Sequence, residues 1–107
     1  MNLIINTTAG ASSTAFNINT FVQGDAEFAG KNYPLHTTFR ITGGVLGAAE
    51  YVLLEYKDET NWRVANIDGN EGKLLDSDNS VATIYGRMIN ARLSKTATAT
   101  ALGVEVV

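Results

Sequence analysis

Cysteine is absent from this chain of 107 residues, and proline and histidine each occur once, at Pro34 and His36. Without cysteine the chain has no disulfide, no thiolate metal site and no cysteine nucleophile. Any imidazole relay would depend on His36 alone, and no serine or aspartate lies at a suggestive spacing from it. We therefore expect His36 to be structural or surface-exposed, and we expect a protein that is not an enzyme and needs no cofactor.

Basic residues and long apolar runs are also scarce. Eight Lys and Arg stand against eleven Asp and Glu, which gives a net charge of −3. So few and scattered cations do not form a surface that follows a polyphosphate backbone. No apolar run approaches the ~20 residues that span a bilayer, and the first residues lack the basic segment of an export signal. We expect a soluble product of the cytoplasm with no nucleic acid and no membrane among its partners.

The residues that are abundant favour strands and turns. Threonine occurs twelve times, and asparagine and glycine occur ten times each, whereas the residues that usually populate surface helices are sparse. With 45% hydrophobic residues, a chain of this length can bury a core of its own. These proportions predict one all-β domain.

Alternation of polar and apolar residues places the strands. The strongest signal lies at 50–57, which we interpret as a central strand with Val52, Leu54 and Tyr56 on one side. A polar turn at 58–61 then predicts a hairpin to the next strand. The predicted strands cover 3–5, 14–22, 36–42, 50–57, 62–65, 73–76, 81–85, 88–94 and 102–107. About seven to nine short strands joined by Gly, Asn and Asp turns are typical of a small antiparallel β-sandwich.

Two stretches of small residues interrupt this pattern. We expect 6–13 to be a loop or a flexible arm, which divides the chain into a strand and arm over 1–13 and a sandwich over 14–107. The Thr/Ala alternation at 95–101 predicts a low-complexity loop or a flat extended arm. Small neutral side chains of this kind would let like subunits approach closely with little desolvation.

Asp76 and Asp78 are the candidate metal ligands, because side-chain oxygens at alternate positions can wrap a hard cation such as calcium. The glycine and glutamate that complete an EF-hand loop are replaced by Val81 and Arg87. We therefore favour an Asx-type turn between two strands and expect no metal.

Trp62 is the candidate ligand platform. Together with Tyr51, Tyr56 and Tyr85 it could stack on sugar rings, since an aromatic face with a polar edge suits that contact. The alternative that we favour is a tryptophan packed in the sandwich core beside the hairpin.

Three segments of the second half carry a resemblance to a known family. They are YVLLEYKDETNWRVA at 51–65, IYGRMINARLS at 84–94 and VEVV at 104–107. An aliphatic strand, an acidic turn, a tryptophan, a late strand with arginines and a valine-rich end resemble the small β-sandwich structural proteins of tailed bacteriophages. The resemblance implies a non-enzymatic virion component, foremost a decoration or cement protein on the head that forms oligomers at capsomer junctions.

That resemblance also sets the expected partners and location. It implies contact with the major capsid protein or another virion protein, a homo-oligomer with a trimer favoured, and a place on the exterior of the phage head. The alternatives are a tail or fibre component and a carbohydrate- or receptor-binding module. We expect partner contacts from aromatic and arginine side chains, namely Phe21, Tyr33, Arg87 and Arg92.

Overall fold

A computed structural model describes residues 2–16, 36–65, 72–85 and 90–107, with His36 and Tyr85 described by their backbone alone. All regular structure in these residues is β, in agreement with the prediction from composition. The strands are β1 (Asn2–Thr7), β2 (Ala11–Ser12), β3 (His36–Thr42), β4 (Val52–Asp58), β5 (Asn61–Val64), β6 (Lys73–Leu75), β7 (Val81–Tyr85), β8 (Ala91–Lys95) and β9 (Leu102–Val106).

The strands form two antiparallel sheets. Sheet A has the order β1-β9-β3-β7, and sheet B has the order β2-β8-β4-β5, with β6 pairing with β4 next to β5. Apart from β6, the strands pair in a nested order. β1 pairs with β9, β2 with β8, β3 with β7, and β4 with β5. This nested pairing is that of a double-sheet jelly roll. The predicted small antiparallel β-sandwich is confirmed.

The core lies between the sheets and follows the predicted alternation. Inward side chains of β4 and β8 are fully buried, as are those of β3 and β9 that face them. Burying an aliphatic or aromatic side chain contributes about 1.5–3 kcal/mol, so this layer supplies most of the driving force for folding. The largest fully buried residues are Phe39, Leu54, Leu74, Leu75, Leu93, Leu102, Val52 and Val104.

The stretch 6–13, expected to be a loop or an arm, differs from that expectation. β1 continues through Thr7, and Ala11 and Ser12 pair with β8. β1 and β2 are the outermost strands of their sheets. Small polar residues can form such strands because backbone hydrogen bonds to the neighbouring strand and hydrogen bonds between side chains hold the chain in place. The Asn6 amide oxygen accepts from the Thr42 hydroxyl at 2.5 Å.

Several other predictions can be placed. The strand at 36–42 coincides with β3, and the hairpin through 58–61 joins β4 to β5. Most of the strand predicted at 14–22 lies outside the described residues, although Phe16 forms a bridge with Ala91. Residues 86–89 also lie outside them, and the late strand is described from Ala91 onward.

Candidate functional site: the outer face of sheet B

Trp62 lies on the outside of sheet B and not in the core. The hairpin register pairs it with Lys57, while Leu54, which points inward, lies at the opposite parity of β4. Because side chains alternate across a strand, Trp62 shares the solvent face with Lys57 and Glu55. The tryptophan is half-buried. The interpretation of Trp62 as a core residue is therefore wrong.

Arg92 covers the tryptophan ring. Its guanidinium carbon lies 4.2 Å from the ring centroid, and the Lys57 ammonium lies 5.9 Å from it. A cation over an indole face is attracted by the ring quadrupole. Arg92 also pairs directly across the strands with Glu55, to whose Oε1 its Nε donates at 3.0 Å. The structure thus brings two predicted residues, Trp62 and Arg92, into one cluster.

A second aromatic and cationic pair lies on the same face. The Lys73 ammonium lies 5.1 Å from the centroid of the Tyr51 ring, beside Leu53, which pairs with Lys73. We call this surface the Trp face. Its members are Tyr51, Leu53, Glu55, Lys57, Trp62, Val64, Lys73 and Arg92.

Charge distinguishes the Trp face from the rest of the chain. Three cations, Lys57, Lys73 and Arg92, stand against the single carboxylate of Glu55. The formal charges of these described residues sum to +2, in a protein whose net charge is −3. A positive surface on an acidic protein attracts partners of the opposite sign.

The outer face of sheet A differs from the Trp face in its side-chain contacts. Arg40 pairs with Glu105 in a cross-strand ion pair, and the hydroxyls of Thr38 and Thr83 lie 2.8 Å apart. The Arg40 side chain is 52% exposed and that of Arg92 is 27% exposed. The difference is consistent with the tryptophan ring that shelters Arg92.

The Asp76 side chain stabilises the turn in which it lies. Its Oδ1 accepts from the Asp78 backbone N–H at 2.9 Å, and Asp76 and Asn79 form a short bridge. This is the Asx-type turn that we favoured at this position. In the described part of the chain, no group of three or more His, Cys, Asp and Glu side chains could hold a metal ion.

We expect Asp76→Ala to lower the free energy of unfolding by about 0.5–1.5 kcal/mol, the contribution of one hydrogen bond. Asp78→Ala is the matched control, since it leaves the Asp78 backbone donor in place. Calcium is expected to leave the melting temperature of the wild type unchanged. A calcium-dependent rise in melting temperature that both substitutions abolish would show a cation site instead.

Glu50 and Lys95 hold the loop between β3 and β4 and the loop between β8 and β9 at one end of the sandwich. The two carboxylate oxygens of Glu50 accept from the backbone N–H groups of Gly47 at 2.7 Å and Ala99 at 2.8 Å. The buried Lys95 ammonium donates to the Thr96 carbonyl at 2.9 Å and the Thr98 hydroxyl at 3.0 Å. The predicted loop at 95–101 is thus held by Glu50 of the neighbouring loop and by Lys95 at its own start.

The surroundings of Glu50 and Lys95 lower the pKa of both side chains. The Gly47 and Ala99 N–H bonds hold the pKa of Glu50 below its ordinary value of 4.5, with Lys95 adding to the effect. Burial lowers the pKa of Lys95, and Glu50 partly opposes that shift. The stabilisation from ionised Glu50 is complete above its ordinary pKa and is lost as the pH falls through its lowered value.

We expect the wild type to lose stability partly through Glu50 as the pH falls below the ordinary carboxyl pKa of 4.5, and Glu50→Gln to flatten that loss. A glutamine has one acceptor oxygen for two N–H donors, so the variant should also be less stable at neutral pH. Urea midpoints measured from neutral pH to below that pKa check both effects, with Glu59→Gln in an exposed turn as control. Parallel acid curves for wild type and Glu50→Gln would contradict them.

Three of the predicted partner-contact residues, Phe21, Tyr33 and Arg87, lie outside the described residues. Sequence reasoning missed the role of Lys57 and the burial of Lys95. A signal for Lys57 was present, because the tight turn at 58–61 fixes which residue pairs with Trp62. No residue pattern marks the burial of Lys95, although the two groups that accept from its ammonium, on Thr96 and Thr98, lie next to it in the sequence.

Comparison of the chain with models of protein families, with curated proteins and with solved structures finds no match. Across the described residues, no helix is both long and apolar enough to cross a membrane.

Proposed function

We propose that the chain is a non-enzymatic structural protein of a tailed-bacteriophage virion, in the first place a decoration or cement protein on the outside of the head. Double-sheet jelly rolls recur in viral capsid and lectin domains, both of which act by presenting surfaces. That support is an analogy at the level of the fold. The residue pattern of the second half, which resembles phage structural proteins, supports the same class.

The Trp face is the observation that carries the proposal. An aromatic ring and a guanidinium lie together on an open sheet surface, a composition that interface centres favour, and an ammonium lies beside them. By contrast, the carboxylates of Glu50, Asp58 and Asp76 accept bonds from donors of the fold itself. The geometry supports binding to a protein neighbour, such as the major capsid protein, better than it supports bond-making chemistry.

Self-association is part of the proposal, with a trimer favoured. In the described residues β7 pairs with β3 alone, and its sequence VATIY contains no charged residue. Edge strands of monomeric proteins usually carry charges that block further pairing. Val81 of this strand is 49% exposed, so an apolar side chain lies where a like subunit would approach.

A carbohydrate- or receptor-binding module is the second candidate, and the position of Trp62 on the outer face favours it. A sugar ring stacks on an open aromatic face. Arg92 lies over the ring at 4.2 Å and would have to move aside for such a ligand. A phage tail or fibre component remains the alternative location within the virion proposal.

Light scattering of the purified protein and its co-sedimentation with empty heads of the phage that encodes it test the proposal. We expect a homo-oligomer that sediments with the heads and a host-cytoplasmic pool that joins particles during assembly. A strict monomer that stays in the supernatant would contradict the head-decoration function. Saturable binding to neutral oligosaccharides in a glycan panel would favour the second candidate.

A further inference from the structure

The Trp face contains a guanidinium that is already held in position. Glu55 engages Arg92 through its Nε, and the tryptophan ring lies against the guanidinium. Within the described part of the chain no hydrogen bond engages the two terminal nitrogens of Arg92. A guanidinium fixed in this way offers paired N–H donors with the geometry that a carboxylate accepts.

A second cationic group extends the same surface. Lys57, beside Trp62, and Leu53, beside Lys73, lie four residues apart on β4. At about 3.3 Å per residue the two aromatic and cationic pairs are separated by about 13 Å along the strand. The Trp face is therefore long enough to be covered by an extended segment of a partner.

We infer that the Trp face is a docking surface for an acidic protein segment, with a carboxylate bound by Arg92 and a second one by Lys57. Charge complementarity carries the choice of occupant, because two cations, Arg92 and Lys57, lie beside Trp62 against the one carboxylate of Glu55, on a protein of net charge −3. The inference rests on the proposed function and names the chemistry of the partner: an acidic patch on the neighbouring virion protein.

The exposed side of the cluster suits such a partner. Val64, which pairs with Glu55, is 45% exposed and gives the face an apolar contact beside its charges. The partly buried indole can take up further contact area when a segment covers it. A desolvated aromatic and arginine pair is the usual composition of an interface hot spot.

Trp62 reports binding directly, since it is the only tryptophan of the chain. The probe is poly-L-glutamate, titrated into the full-length protein while Trp62 emission is followed at about 0.02 M and about 0.2 M salt. We expect a saturable change that weakens at the higher salt. Arg92→Gln should weaken binding about tenfold or more.

Arg40→Gln is the matched control, because Arg40 also forms a cross-strand ion pair with a glutamate, but on sheet A and away from the tryptophan. We expect it to bind poly-L-glutamate like the wild type. Lys57→Gln, at an exposed position, keeps the test valid if Arg92→Gln fails to fold, and it should weaken binding severalfold.

Three results of the titration would overturn the inference: no emission change with poly-L-glutamate, equal weakening by Arg40→Gln and Arg92→Gln, or binding of polygalacturonate without binding of poly-L-glutamate. Failure of the proposed function is distinguishable. Wild type and Arg92→Gln that sediment equally with heads would refute the docking surface and leave the virion function standing. Arg92-dependent binding of poly-L-glutamate without sedimentation would refute the virion function alone.

Discussion

Phe39→Ala is expected to lower the free energy of unfolding by about 3–5 kcal/mol, the usual cost of removing a buried phenyl ring. Phe39 on β3 is fully buried, and its ring centroid lies 6.1 Å from that of Phe16. Phe16 is bridged to Ala91 of sheet B, so the aromatic pair spans the two sheets. Small domains have only about 5–15 kcal/mol of stability, and such a loss approaches unfolding.

Urea unfolding followed by circular dichroism measures the effect. Phe39→Leu keeps most of the volume and should cost about 1–2 kcal/mol, less than half of the alanine effect. Thr83→Ala, on the solvent face of the adjacent strand, should change stability by less than about 1 kcal/mol. A loss of under about 1 kcal/mol for Phe39→Ala would show that the two sheets do not close on this ring.

Gly103→Ala is expected to have the second large effect on stability. At this residue β9 runs so close to its antiparallel neighbour β1 that no side chain fits between the two backbones. A Cβ at position 103 would collide with the Ile4 carbonyl oxygen and would lie 2.9 Å from the Asn6 backbone nitrogen. The pairing of β1 with β9 is irregular on both sides of Ile4, which brings the two backbones together. Since the obstacle is backbone, it cannot be relieved by a rotamer change.

We expect Gly103→Ala to cost about 1–3 kcal/mol and Gly103→Val to cost more. Gly10→Ala is the control, because a Cβ there lies 3.4 Å from its nearest neighbour, an ordinary contact. Thermal unfolding of the three variants side by side provides the measurement. Equal melting temperatures for Gly103→Ala and Gly10→Ala would contradict the close approach of β1 to β9.

The alternation of polar and apolar residues predicted best the strands that have one solvent-exposed face and one buried face. β3 begins and ends where the pattern at 36–42 does, and in β4 Val52 and Leu54 are buried as expected. In such strands the local sequence and the global fold impose the same periodicity, so the pattern is sufficient. The sheet order is not encoded locally, and the jelly-roll pairing emerges only from contacts between distant strands.

Trp62 and Lys95 show where this reasoning fails. A large aromatic residue favours the core on average, but the hairpin register places Trp62 outside, where Arg92 compensates for its exposure. A lysine at the end of a strand favours solvent on average, yet Lys95 is buried and donates to Thr96 and Thr98 in the loop that follows it. In both residues specific partners override the average preference: Arg92 on a separate strand for Trp62, and the adjoining loop for Lys95.

Quenching of Trp62 emission by ions of opposite sign tests most directly whether a cationic aromatic face lies on the outside of sheet B. Iodide should quench the emission more strongly than caesium does, because Arg92 and Lys57 concentrate anions beside the ring. Arg92→Gln should reduce that preference, and Arg40→Gln should leave it unchanged. Blue-shifted emission that neither ion quenches would place Trp62 in the core and contradict the binding face.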